Sequence, residues 1–341
     1  MTSLEVNVSA HDNPLAWAVR KQTRTGKILG KESRSQFDNL NVYVRHRTEN
    51  RGADFSGEPL LIYYGQRRAV LDVPQRLREA ADQRKAAAFS GALKADLEFR
   101  EFVVWFRDRS LEEAQHWRED QSYRDGQLEA VRRAMTEKTG LKNPEHRQGL
   151  HVTKNGVDLL VSQLSSGEQT FLALAGDLAR RLAMLNPDLP DPLQGPGIVL
   201  IDEIELHLHP RWQRVILPWL TETFPGCQFV ITTHSPQVLG RVHADSIRVL
   251  HPGADGRIEV GIPRAAYGRD SSEILLAVLG ADERDAEIKA RLDLLEDAIG
   301  AGRLSEAATL LESLRQEIEG EPPELTLAQA RLDRRRRAQT P

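Results

Sequence analysis

Three short segments carry residue types and spacings suited to phosphate chemistry. In the first, Leu164–Gln169, Ser165, Ser166 and Gly167 stand just before an apolar helical pattern of Phe171, Leu174, Ala175, Leu178 and Leu182. Backbone N–H groups at a helix start, beside a hydroxyl and a small residue, form a ready phosphate site. Ser165 and Glu168 also have the spacing of a capping box, which would turn the same hydroxyl inward to the helix's own amides. In the second segment, Ile198–Ile201 lead into Asp202 and Glu203. Two carboxylates at the carboxyl end of a strand repel unless a cation or separate roles keep them there. In phosphoryl transfer the first would serve Mg²⁺, commonly through water, and the second would orient the attacking water. A strand ending on two solvated acids is the plainer alternative. The third segment, Val230–Pro236, is a strand pattern ending in hydroxyls and His234, 32 residues after Asp202. An imidazole there reaches a terminal phosphate, although an isolated histidine is more often structural. Each segment alone is weak. Their order and spacing together carry the reading.

The elements that must position these segments follow from periodicity. Ile198–Ile201 and Gln228–Ile231 are short β-branched runs of the kind buried on both faces of a parallel sheet. A crossover helix over Trp212–Phe224 fits between Asp202 and His234, so the two strand ends can lie close together. Residues 150–250 alternate strand and helix throughout. Leu60–Tyr64, closed by Gly65, reads as a further buried strand. Upstream, residues 3–24 read as a hairpin, with Leu4, Val6 and Val8 alternating before a turn and Leu15, Trp17 and Val19 after it. Residues 26–36 are loop-like, and Phe37, Leu40 and Val44 have helical spacing. Residues 74–142 are rich in Ala, Arg, Glu and Leu and predict helix; Phe102, Trp105, Phe106 and Arg109 form a packing stripe there. Residues 270–335 predict helices again, with stripes Ile274–Leu279 and Ile288–Ile299, a break at Gly302 and a helix from Leu304 to Ile318.

Bulk properties narrow the class. At 341 residues the chain can hold about two domains. The formal charge of −4 argues against a generally basic nucleic-acid coat. The single cysteine, Cys227, forms no intramolecular disulfide and fits a reducing compartment as a small core residue. No apolar run approaches the ~18 residues of a membrane span, and the first residues show no signal-peptide pattern. The chain reads as cytoplasmic.

The three segments in this order resemble the signature, Walker B and switch-histidine motifs of ABC-type ATPase heads in chromosome-maintenance, recombination-repair and OLD-like proteins. The stretch Gly197–Gln213, with Phe229–Pro236 after it, more closely resembles bacterial AAA-labelled ATPases. Many of those belong to anti-phage systems, including retron-associated and Septu-type ATPases paired with an HNH nuclease. The resemblance implies an α/β P-loop NTPase fold, an ABC-ATPase head with an antiparallel β portion, a helical insert and a C-terminal helical extension. Its parts would be residues 1–73, 74–148, 149–262 and 263–341. It implies ATP and Mg²⁺ as ligands, and pairing of heads as a homodimer or hetero-oligomer, with DNA as a possible further partner. Ser165, Ser166 and Gly167 would face the γ-phosphate of nucleotide on a partner subunit. Asp202 would serve the metal, Glu203 would be the base, His234 the switch histidine and Gln66 the Q-loop glutamine. His207 and His209 would belong to the D-loop region rather than to a zinc site.

A Walker A loop needs G-x-x-x-x-G-K-S/T, whose amides wrap the phosphates. The nearest segment, Gly26–Glu32, has three residues between its glycines and an acid in place of the hydroxyl. The chain therefore reads as beginning after that loop, through a truncated gene, a misplaced start or a split protein. Two functions follow: a subunit of an ATP-hydrolysing head dimer whose site another segment completes, or a non-catalytic scaffold that docks a nuclease. An intrinsic nuclease fits poorly, because the residues after His234 show helical periodicity, and Arg334–Arg337 read as a solvated tail.

Overall fold

The structure is a computed structural model that describes residues 2–10, 13–21, 59–66, 81–93, 99–137, 139–147, 149–253, 257–280, 285–320 and 322–339. They form two compact units, Met1–Trp212 with Pro218–Thr233, and Gln213–Leu217 with His234–Pro341.

In the first unit β1 (Thr2–Ala10) and β2 (Asn13–Lys21) make the expected antiparallel hairpin, with Val6 opposite Trp17. The loop over 26–36, the segment Gly26–Glu32 and the helix through Phe37, Leu40 and Val44 lie outside the described residues. Next come β3 (Leu60–Tyr64), α1 (Phe99–Glu119) and α2 (Gly126–Thr136). Helix ends there, earlier than residue 142. Leu141–His146 is instead a strand, β4, which pairs with β5 (Leu150–Lys154), and β5 with β6 (Val157–Leu160). Asn143 and Pro144 are poor helix formers, and the ladder is irregular between Lys142 and Glu145, where Pro144 has no N–H to give.

The aromatic stripe of α1 packs as expected: Phe102, Trp105 and Phe106 are buried, and Phe102 lies 5.0 Å from Phe99 and 5.7 Å from Phe106. Its partner is α3 (Ser166–Leu185). One apolar face was expected of α3, yet almost every residue from Gly167 to Leu185 is buried. A helix enclosed on all sides must neutralise whatever charge it carries. Asp177, fully buried, accepts from Arg180 Nη2 and Arg181 Nε at 2.8 Å each and from the Tyr64 hydroxyl at 3.0 Å. Arg181 Nη1 donates onward to the carbonyls of Ala88 and Ser90, at 2.5 and 2.8 Å. One buried cluster thus ties α3 to β3 and to the turn before α1.

The parallel sheet has the order β3–β7–β8, with β7 spanning Gly197–Ile201 and β8 Cys227–Ile231. Between the last two the crossover is split into α4 (Pro210–Gln213) and α5 (Ile216–Thr223). Pro218, which lacks an N–H and crowds the carbonyl four residues back, accounts for the restart. The sheet is not buried on both faces. Ile62, Val199 and Ile201 are buried, whereas on the opposite face Leu61 is 41% and Val230 54% exposed. A continuous apolar run does not say which face is covered.

The second unit holds α6 (Pro236–Leu239), the hairpin β9 (Val249–Pro252) and β10 (Ile258–Gly261), and α7 (Ser271–Ile274), which runs on into a π-turn over Leu275–Leu279. Ile274 and Val278 pack with Leu239, Ile247 and Ala266. Three helices follow: α8 (Ala286–Gly300), α9 (Leu304–Glu317) and α10 (Pro323–Gln339). Leu295, Ile299, Leu311, Leu314, Leu325 and Leu332 form their shared core. Arg334–Arg337 therefore sit on a folded helix, not on a tail.

Candidate functional site

Parallel register brings three strand ends together. Tyr64 pairs with Ile201 and Ile201 with Ile231, and the ladder runs one step further. There Asp202 N donates to Tyr64 O at 2.9 Å and Thr232 N to Ile201 O at 3.0 Å. The Asp202 carboxylate is then held from two sides. Gln66 Nε2 donates to Oδ2 at 3.1 Å, and the Thr232 hydroxyl donates to Oδ1 at 2.5 Å. The same hydroxyl accepts from Glu203 N at 2.8 Å, so one threonine bridges both acidic residues. Glu203 takes a left-handed backbone, φ +47. That conformation costs a side-chain-bearing residue about 1–2 kcal/mol, and the bond to Thr232 helps to hold it. Asp202 and Glu203 are half-buried, Gln66 exposed.

At the start of α3 the capping box is formed. Ser165 Oγ donates to Glu168 Oε2 at 2.8 Å and accepts from Glu168 N at 3.4 Å, while Ser165 N donates to the same carboxylate at 3.1 Å. Lys154 reaches the other carboxylate oxygen at 2.7 Å. Burial pushes the Glu168 carboxyl up, and the bonds from Lys154 and Ser165 more than reverse this, holding it below the usual glutamate range. Ser165 and Ser166 remain exposed. Gly167 has a packing reason to be glycine: a Cβ there would lie 2.7 Å from the carbonyl oxygen of His207. The first turn of α3 therefore rests on the loop that leaves Glu203. Gly167→Ala is expected to cost about 1–3 kcal/mol through overpacking, read as a lower denaturant midpoint; an unchanged midpoint would show that the loop yields freely.

The structure thus gathers Gln66, Asp202 and Glu203 at the carboxyl end of the sheet and sets Gly167 against the loop that follows Glu203. His234 opens the second unit, where Ser235 caps α6 by accepting from Gln237 N and Val238 N at 3.1 and 3.3 Å. Thr232 is the residue that motif reading passed over. Its signal was present, since a hydroxyl ending β8 in register with Asp202 is placed to bond it. Cys227 is half-buried beside Gly195, and burial pushes its thiol up to about 11, so it is a poor nucleophile near neutrality.

The oxygens brought together here, the Asp202 carboxylate and the Thr232 hydroxyl, are hard donors. That set suits Mg²⁺. No group of three or more His, Cys, Asp or Glu side chains comes together among the described residues. A divalent ion here would therefore take most of its ligands from water and phosphate.

Residues 30–240, more than half of the chain, match the family described as "AAA domain, putative AbiEii toxin, Type IV TA system". The chain belongs to this family. Its parallel sheet is accordingly the core of a P-loop NTPase fold, elaborated by antiparallel strands, helices and a C-terminal helical region. A 140-residue stretch is 48% identical to the "Retron Ec83 probable ATPase" of Escherichia coli, covering 41% of this chain and 25% of that protein. A 90-residue stretch is 41% identical to the "Septu protein PtuA" of Bacillus mycoides (strain KBAB4), covering 26% of this chain and 12% of that protein. The chain thus spans a quarter or less of the length of these curated relatives. Among solved structures, the SMC head domain from Thermotoga maritima is similar with a TM-score of 0.37 and 14% identity, over 76% of this chain and 73% of that one. No helix among the described residues is long and apolar enough to cross a membrane.

Proposed function

We propose that this chain is an ATP-hydrolysing subunit of a head-type P-loop ATPase acting in a retron- or Septu-like anti-phage system in the cytoplasm. The observation that carries the reading is the Asp202 carboxylate fixed between Gln66 and Thr232 at the carboxyl end of a parallel sheet, with Glu203 next to it. In this reading Asp202 holds a metal-bound water and Gln66 reports the state of the site to the rest of the unit. Glu203 orients the attacking water and takes its proton. Mg²⁺, when bound, supplies charge neutralisation at the β- and γ-phosphates. Ser165, Ser166 and Gly167 face the γ-phosphate of nucleotide held by a partner head, and His234 is the switch histidine. The lysine-bearing phosphate loop comes from polypeptide outside these 341 residues, and the heads pair as a homodimer or hetero-oligomer that directs an HNH-type nuclease to DNA.

A non-catalytic scaffold is the second reading. It is favoured by the Ser165 hydroxyl, whose proton is already given to Glu168. Phosphate release by the protein purified with its native partners separates the two. The catalytic reading predicts Mg²⁺-dependent release that Asp202→Ala abolishes. Release indifferent to both Mg²⁺ and Asp202→Ala would rule it out.

A further inference from the structure

The arginines of the C-terminal bundle fall into two groups. Arg291 pairs with Glu317, Arg303 with Glu306 at 2.8 Å and Arg331 with Glu296 at 2.6 Å, while Arg315 donates to Gln329 at 3.2 Å. Arg334, Arg335 and Arg337, at the end of α10, are exposed and make no hydrogen bond or ion pair among the described residues. At 3.6 residues per turn, Arg334 and Arg337 lie on the side of α10 opposite its buried residues Leu325, Ala328 and Leu332, and Arg335 flanks that buried face. The acid within this run, Asp333, accepts from Gln329.

Cations in a last turn complement the helix dipole, but Arg336 and Arg337 already do so. Arg334 and Arg337, at i, i+3 spacing, repel one another. The run is all arginine, with no lysine, and the guanidinium fork matches phosphate oxygens bidentately. In a chain of net charge −4, the exposed arginines Arg334, Arg335 and Arg337 on a helix end are complementary to a regularly charged polyanion.

We propose that the C-terminal end of α10 binds the phosphate backbone of duplex nucleic acid, through Arg334, Arg335 and Arg337 and without base readout. The surface is independent of the strand-end site and lies wholly on the second unit.

The test is fluorescence anisotropy of labelled DNA and RNA duplexes with the full chain, native and Arg334→Gln/Arg335→Gln/Arg337→Gln, across a salt series. All three positions are exposed, so circular dichroism of the variant is expected to match the native protein. The substitutions should weaken binding about tenfold, and lower the slope of log affinity on log salt by roughly 2–3, at ~0.9 per lost phosphate contact. Comparable effects on duplexes of unrelated sequence support the proposal. Unchanged affinity and slope in the folded variant would overturn it, as would a polyglutamate peptide that binds the native chain more tightly than either duplex.

Discussion

Asp177→Ala is expected to cost about 3–5 kcal/mol of stability, the range for removing one member of a buried ionic cluster. The substitution leaves Arg180 and Arg181 charged and buried without their shared carboxylate, and it orphans the Tyr64 hydroxyl. The loss reaches the candidate site, because Tyr64 is the last residue of β3, two before Gln66. Acid dependence follows with a definite sign. Burial pushes the Asp177 carboxyl up, and the charges of Arg181 and Arg180 more than reverse this, holding it below the ordinary aspartate value of 3.8. Its contribution is therefore present above that value and lost as pH falls through the lower folded one. The alkaline side runs the other way. Burial, then the neighbouring Asp177 charge, raise the Tyr64 phenol well above 10, so its stabilisation is full below pH 10 and fades above it. Urea unfolding of native, Asp177→Ala and Tyr64→Phe proteins across pH reads all three effects. A native-like midpoint for Asp177→Ala would mean that the cluster contributes nothing.

Glu203→Gln is expected to lower the rate of ATP hydrolysis by about 10²–10³-fold while leaving nucleotide binding within a few fold, as for removal of a general base. Glutamine has the same size, and the bond from the residue 203 amide to the Thr232 hydroxyl involves only backbone and is retained. The left-handed turn should therefore survive, and the change isolates the carboxylate's proton chemistry. Single-turnover kinetics on the protein with its native partners gives the comparison. Native turnover in this variant would remove Glu203 from the mechanism and leave the scaffold reading in its place.

Much of this was legible in the residues. The apolar run ending in Asp202 and Glu203 announced a strand delivering two acids, and the crossover interval placed the next strand beside it. The capping box was readable from Ser165 and Glu168, because its partners are three residues apart. Contacts that depend on register across long separations were not. Thr232 and Thr233 are equivalent as letters, and only the alignment of β8 with β7 turns Thr232 toward Asp202. Asp177, Arg180 and Arg181 have visible helical spacing, but that spacing is equally that of an exposed ion-pair ladder. Burial by Tyr64 and the turn before α1 makes it a core cluster. Pro144 shows how composition misleads: the window around it is rich in helix formers, yet the helix has already ended at Thr136, ahead of Gly140 with its left-handed φ of +74, and Pro144 sits within β4.

The measurement that bears most directly on the central claim is binding of a fluorescent ATP analogue, with Mg²⁺ and with chelator, to the protein purified with its native partners and to its Asp202→Ala form. If the Asp202 carboxylate between Gln66 and Thr232 anchors the metal end of a nucleotide, Mg²⁺ will tighten binding by the native protein and will not do so in the variant. An equal Mg²⁺ effect in both proteins would contradict the account and place the metal away from these strand ends.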